Sequence, residues 1–242
     1  MADIPKLTLY DFPADPGVDG WITFSPFVLE VERALRLAKL PFEHVRLPYQ
    51  KVKGKNPIGQ LPVLGIGSEI VADSTRILHR IEGLAPGSMT GGLDARGIAE
   101  AWLWEEFADA ALYPQLLFAR WADDRGWPVL KQAFFSGFPP VIRDVIGSIV
   151  RKNVVKRLVL ADFLRAGPEA CVERRARVLD ALDARAPEGG FWLGPRATSA
   201  DLGLFAHLHE LRMPKTPWLA EEVSRRATLS RWLDRVHAAT RG

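Results

Sequence analysis

Cysteine is almost missing from this 242-residue chain: Cys171 is the one example. That excludes a disulfide within the chain and any cysteine-built metal site. Histidine is also sparse. His44, His79, His207, His209 and His237 are scattered, without ligand spacing beside acidic partners, so no metal is expected. No apolar run of about 18 residues occurs, so no membrane span and no membrane partner are expected. The opening MADIPKLTLYDF lacks the basic start and long apolar stretch of a secretory leader, which makes the cytoplasm the expected location. Charge of one sign is scarce too. The net charge is +3, and the basic clusters alternate with apolar residues as solvated helix faces do. With no accompanying motif, no nucleic-acid partner is expected.

What is present is an ordinary globular composition, 48% hydrophobic and 25% charged, with eight tryptophans. Such rings usually form core or pocket walls. The first 84 residues alternate strand and helix signals. Leu7–Phe12 reads as a strand, and a loop rich in Pro and Gly follows from Pro13 to Phe24. In SPFVLEVERALRLAK the residues Val28, Val31, Leu35 and Ala38 recur at helical spacing. Ser25 stands at the N-cap and Pro26 at the first helical position. Phe42–Leu47 reads as a second strand, and KVKGKNPIGQ as a basic loop. Pro62–Ile66 and Glu69–Val71 read as a hairpin about Gly65–Gly67. A helix over Asp73–Glu82 follows, capped by Asp73 or Ser74.

This order predicts a four-stranded mixed sheet of thioredoxin-like plan with a right-handed first crossover. Ala85–Gly92 reads as a linker. Beyond it the pattern is helical: from Asp94 to Trp121, from Pro128 to Leu164 with a break at Gly137–Pro140, from Pro168 to Arg185, from Ser199 to Arg212, and from Trp218 to Ala239. The expected division is a thioredoxin-like domain over 1–84, a linker over 85–93 and an all-helical domain over 94–242.

Four segments carry chemistry. A helix N-terminus capped by serine presents N–H groups, partial positive charge and a hydroxyl donor, a fit for an anion such as a thiolate. A free thiol of pKa ~8.5 is only about 3% ionised at pH 7, and a two-unit drop needs roughly 2.7 kcal/mol. A dipole contribution of ~1 kcal/mol and a charge-assisted hydrogen bond of ~1.5–3 kcal/mol supply that. In Asn56-Pro57-Ile58-Gly59-Gln60-Leu61-Pro62-Val63-Leu64, a cis Leu61–Pro62 bond turns the Leu61 backbone outward, where it can pair with an extended peptide. Asp73-Ser74 opens a second helix able to receive a carboxylate. Thr198-Ser199-Ala200-Asp201 is a capping box, a structural feature. Taken alone, each of the first three reads as an ordinary cap or turn.

Their order is the specific signal. SPF, NPIGQLPVL, ADSTRILHRIE and TSADLGLFAHL, in that sequence, resemble the glutathione S-transferase superfamily over nearly the whole chain, with a serine-type active site. LYDFP, the long loop, SPF and TSAD are similar to its metaxin-like and failed-axon-connections branch. The resemblance implies a glutathione transferase that activates glutathione, as co-substrate, for attack on an electrophilic, largely apolar small molecule in cytoplasmic detoxification. It also implies a homodimer.

By position, it implies that Ser25 stabilises the thiolate, that Leu61, before Pro62, pairs with the cysteinyl part, and that Asp73 and Ser74 hold the γ-glutamyl end. Lys53, or its neighbours Lys51 and Lys55, would meet the glycyl carboxylate. The thiol motif of redox relatives reads Ser25-Pro26-Phe27-Val28 here, which argues against thiol–disulfide exchange by the protein itself. The loop over Pro13–Phe24 is longer than in typical transferases and brings Thr23 forward as a rival hydroxyl, with Tyr10 a third. The second substrate is expected between the domains, among Trp21, Trp104, Phe107, Ala108, Ala111 and Trp121. A non-catalytic transferase-like binding or adaptor protein is the alternative function.

Overall fold

A computed structural model describes residues 4–241. Four strands, β1 (Leu7–Asp11), β2 (Phe42–Arg46), β3 (Val63–Ile66) and β4 (Glu69–Ala72), form one sheet in the order β2-β1-β3-β4. β1 and β2 are parallel, while β1–β3 and β3–β4 are antiparallel. Helices α1 (Pro26–Leu37) and α3 (Ser74–Leu84) pack together with the sheet, and the mixed thioredoxin-like plan expected from the sequence is present. Alternation explains the register of β1. Leu7, Leu9 and Asp11 point inward, so a carboxylate ends up buried at the strand's C-terminal end.

Three local expectations need correction. The first half of the basic loop is a helix, α2 (Tyr49–Lys55). Its glycine and lysines read as loop, but Val52 anchors it in the sheet's core and tertiary burial overrides propensity. The hairpin turns at Gly67, with φ +60°, and not about Gly65. Gly65 lies inside β3, where a Cβ would sit 3.5 Å from the Tyr10 ring. Helical segments also break where periodicity ran on. Pro217–Ser224 (α10) and Ala227–Thr240 (α11) are separate helices.

The helical unit opens with α4 (Ala95–Phe107), which runs through a π-helical segment, Ala108–Leu112, then α5 (Tyr113–Leu117), then a second π segment, Phe118–Ala122. Each π turn rotates the side chains that follow relative to a 3.6-residue period. After it come α6 (Trp127–Phe135) and α7 (Pro140–Leu160), which meet at a bend of 119°. Then follow α8 (Pro168–Arg185) and α9 (Ser199–Leu211), the latter buried along its whole length. Asp201 accepts the Thr198 N–H, the Trp192 N–H and the Trp232 indole N–H, which fixes the start of α9. No single helix among the described residues is long and apolar enough to cross a membrane.

Two large cores result, one in each unit, beside two smaller clusters, and the large cores exchange a residue. Leu29 of α1 lies in the helical core and Leu202 of α9 in the sheet's core. The crossing is close because position 203 is glycine. A Cβ there would meet the Glu105 Cα and the Glu30 Oε1, each at 3.2 Å.

Candidate active site

A cavity of about 450 Å³ opens between the two units. Ser25, Pro26, Phe27, Gly59, Gln60 and Leu61 line it from the α/β side. Its other walls are apolar and largely aromatic, including Tyr113, Leu116, Trp121, Phe134, Phe135 and Phe138.

Ser25 is the N-cap of α1, and its Oγ accepts the Val28 N–H at 3.3 Å. One lone pair of the oxygen is thereby engaged, and among the described residues the hydroxyl donates to no other group. The Ser25 N–H donates to Thr23 Oγ1 at 3.0 Å, and the Thr23 hydroxyl donates to Asp11 Oδ1 at 3.0 Å. Asp11 also accepts the Phe12 N–H at 2.7 Å and faces His44 Nε2 at 3.2 Å. Thr23, 1% exposed, is turned away from the cavity. Of the three rival hydroxyls, Ser25 alone lines it. Tyr10 is half-buried in β1 with the Lys55 ammonium over its ring at 4.5 Å.

The Leu61–Pro62 bond is cis, and Leu61 is a wall residue while Pro62 is not. Asn56 shapes this loop: its side-chain amide donates to the Gln60 carbonyl at 2.9 Å and its Oδ1 accepts the Ile58 N–H. Lys53 is exposed near the rim, where its Cγ lies 3.8 Å from the position of a Cβ on Gly59. Asp73 caps α3, accepting the Arg76 N–H at 3.1 Å from an exposed position. Its φ of +84° is a conformation that costs a non-glycine residue about 1–3 kcal/mol. Ser74 is buried beside Glu30. Asp73, Ser74 and Lys53 lie outside the cavity wall itself.

Of the six residues expected around the second substrate, only Trp121 is a wall residue. Trp21 instead stacks on His209 at 4.3 Å and donates its indole N–H to the His209 carbonyl. It docks the long loop on α9. Trp104 packs edge-on against Trp192 at 5.1 Å, and Ala108 is buried in the helical core. Tyr113, Leu116 and Trp121, further along the same helical stretch, reach the cavity instead.

Several contributors escaped the sequence reading. Asp11 was discoverable as the third inward residue of an alternating strand. Arg120 had no such signal. It donates to the Phe24 carbonyl and pairs with buried Glu210, tying the chain just before Ser25 to α9. Burial pushes Glu210 up to about 7 in spite of Arg120. Tyr49 and Tyr113, both wall residues, are raised by burial and keep their protons; the Tyr49 hydroxyl donates to the Phe134 carbonyl at 3.2 Å. A second set of buried acids lies on α1, α4 and the first π segment. Burial raises Glu30, raises Glu105 to about 7 and, with Glu105 beside it, raises Asp109 to about 8. His207, lowered to about 4 by burial, faces Asp109 at 3.8 Å as a neutral ring.

A thioredoxin-like sheet joined to a helical bundle, with a capped helix N-terminus opening on the cleft between them, defines the class of fold. The sequence matches the glutathione S-transferase N-terminal domain over residues 26–126 and the glutathione S-transferase C-terminal domain over 166–235. Together these span well over half the chain, and the protein belongs to the glutathione S-transferase superfamily.

The fold is similar to that of the β-etherase LigF from Sphingobium sp. strain SYK-6, with a TM-score of 0.69 at 20% identity over 98% of this chain and 97% of the other. It is similar to glutathione S-transferase III in its apo form, with a TM-score of 0.63 at 24% identity over 98% and 94%. A glutathione transferase homologue from Sulfitobacter with bound glutathione gives a TM-score of 0.60 at 16% identity over 98% of both chains. No curated protein sequence matches the chain. Helices α6 and α7 fall between the two matched segments.

Proposed function

We propose that the chain is a serine-type glutathione transferase that ionises the glutathione thiol at Ser25 and directs it at an apolar, aromatic electrophile. The observation that carries this reading is the Ser25 hydroxyl: its oxygen is engaged by Val28, it donates to no other group among the described residues, and it sits at a helix N-terminus beside an aromatic-walled cavity. The helix N-terminus and that hydroxyl favour the thiolate. The sulfur then bonds to the electrophilic carbon as the bond to the leaving group breaks, and the leaving group departs with the electron pair. Holding both reactants in one cleft supplies the rest.

Leu61, preceding Pro62, would pair through its backbone with the cysteinyl part. Asp73 and Ser74 would receive the γ-glutamyl end at the start of α3, and Lys53 the glycyl carboxylate. Lys53 is favoured over Lys55 because Lys55 is engaged with Tyr10. The domain division at 1–84, 85–93 and 94–242, the cytoplasmic location and a role in detoxification belong to the same proposal. So does a homodimer, supported by the apolar groove between α4 and α8 in which Leu103 is 70% exposed. Sedimentation of the purified chain reads that dimer directly; a monomer at micromolar concentration overturns it.

The decisive comparison is glutathione titration of the wild type and Ser25→Ala, followed by the ultraviolet absorbance of the thiolate and by kcat/KM with a model aromatic electrophile. Loss of one charge-assisted hydrogen bond predicts a drop in kcat/KM of about tenfold to a hundredfold, with most thiolate absorbance gone at pH 7. Failure of the wild type to bind glutathione at millimolar concentration overturns the reading. An unchanged thiolate signal in Ser25→Ala removes Ser25 from it.

A further inference from the structure

Six of the ten large apolar side chains that are exposed among the described residues belong to one helix, α7: Val141, Ile142, Val145, Ile149, Val159 and Leu160. They are not scattered around it. Positions 141, 145, 149, 152, 156 and 160 follow at spacings of three and four residues, one continuous stripe on a helix. With a rise of 1.5 Å per residue the stripe is about 30 Å long. Two of its positions are Lys152 and Lys156, both exposed. Among the described residues the ion pairs of α7 are Lys131–Asp144, Arg143–Asp144 and Arg151–Asp124, so neither lysine is in one. The one carboxylate of α7, Asp144, stands at the stripe's edge and is engaged by Lys131.

We infer that α7 is a membrane-docking helix that lies in the plane of an anionic lipid bilayer. Its valines and isoleucines enter the headgroup–acyl boundary, and Lys152 and Lys156 meet lipid phosphates. The pattern is that of an interfacial helix: an apolar face with cations set to reach the headgroups, at a length too charged to span. This departs from the expectation that the chain has no membrane partner.

Charge distinguishes the bilayer from a second copy of the chain. A two-fold axis through the stripe would place four lysines in one apolar seam whose carboxylates are already engaged, whereas an anionic surface supplies a counter-charge to each lysine. The opposite side of α7, with Ile146, Val150 and Val154, lines the cavity. Docking therefore sets the cavity one helix away from the lipid, within reach of molecules dissolved in it. The inference stands on the surface of α7 and does not rest on the glutathione reading.

Co-sedimentation of the full chain with sucrose-loaded vesicles tests it, comparing phosphatidylcholine alone with phosphatidylcholine containing phosphatidylserine. The expected result is binding to the anionic vesicles that weakens as salt rises. Lys152→Gln with Lys156→Gln should weaken that binding about thirtyfold, from roughly fivefold per lysine. Val145→Asp with Ile149→Asp should abolish it while circular dichroism stays that of the wild type. If the aspartate pair fails to fold, the glutamine pair decides. The inference is overturned by no binding to either vesicle, or by binding that both pairs leave unchanged. A dimer in sedimentation that Val145→Asp with Ile149→Asp splits, without vesicle binding, also overturns it and assigns the stripe to a second copy.

Discussion

At the residue scale, Ser25 is held by side chains that never reach the cavity. Asp11 takes the Thr23 hydroxyl, and Thr23 takes the Ser25 N–H, each at 3.0 Å. The carboxylate thereby sets the backbone of the cap two bonds away. Thr23→Val keeps the shape of the side chain and removes both of these hydrogen bonds, leaving a buried N–H and part of a carboxylate unpaired. Each unpaired group costs about 1–3 kcal/mol. The expected outcome is a clear fall in thermal midpoint and a drop in kcat/KM of about tenfold, with Thr23→Ser restoring both. Thermal scans and steady-state kinetics check it. Full activity in Thr23→Val would show that Ser25 needs no such support. The cap at Ser25 was legible because a serine followed by proline at a helix start has a sequence signature. Its support was not, since Asp11 lies 12 residues from Thr23 and only the fold brings them together.

Elements decide which side chains meet the cleft. α9 passes α1 and α4 at Gly203, where the added carbon of an alanine would press on the Glu105 backbone at 3.2 Å. Backbone cannot swing aside as a flexible side chain can, so the helices must part. Gly203→Ala should therefore destabilise the chain by about 1–3 kcal/mol, seen as a lower midpoint in denaturant with little change in slope. A neutral result would mean that the α4–α9 crossing is slack. In a peptide the same substitution would favour helix, so its sign here is a property of packing. Along the α4–α5 stretch, Trp121 reaches the cavity while Trp104 packs on Trp192.

The whole molecule buries acids where its two units meet. Glu105, raised to about 7, Asp109, raised to about 8, and Glu210, raised to about 7, keep protons in the folded chain that they release at lower pH once unfolded. Folding then binds protons, so their contribution is full below their ordinary values and is lost as pH rises through their folded values. His207 works in the opposite sense. Lowered to about 4, it makes stability rise with pH until its ordinary value of 6.5 is passed. Between pH 6.5 and 8 the acids act alone, and the thermal midpoint is expected to fall steadily with pH. Asp109→Asn should flatten that fall. A midpoint that climbs over the same window would show the carboxyls to be ionised throughout.

The sequence by itself determined the order of the four strands with helices α1 and α3 among them, the caps at Ser25 and Thr198, and the proline that precedes β3, because caps, periodicity and turn chemistry act over a few neighbouring residues. Only the tertiary structure decided that Thr23 turns inward, that Arg120 and Glu210 clamp the approach to Ser25, that Trp21 leaves the cleft for His209, and that α7 shows one apolar face to the cavity and another to solvent. Those outcomes depend on which distant surfaces are pressed together, and burial of that kind is a property of the packed chain that no local pattern of residues contains.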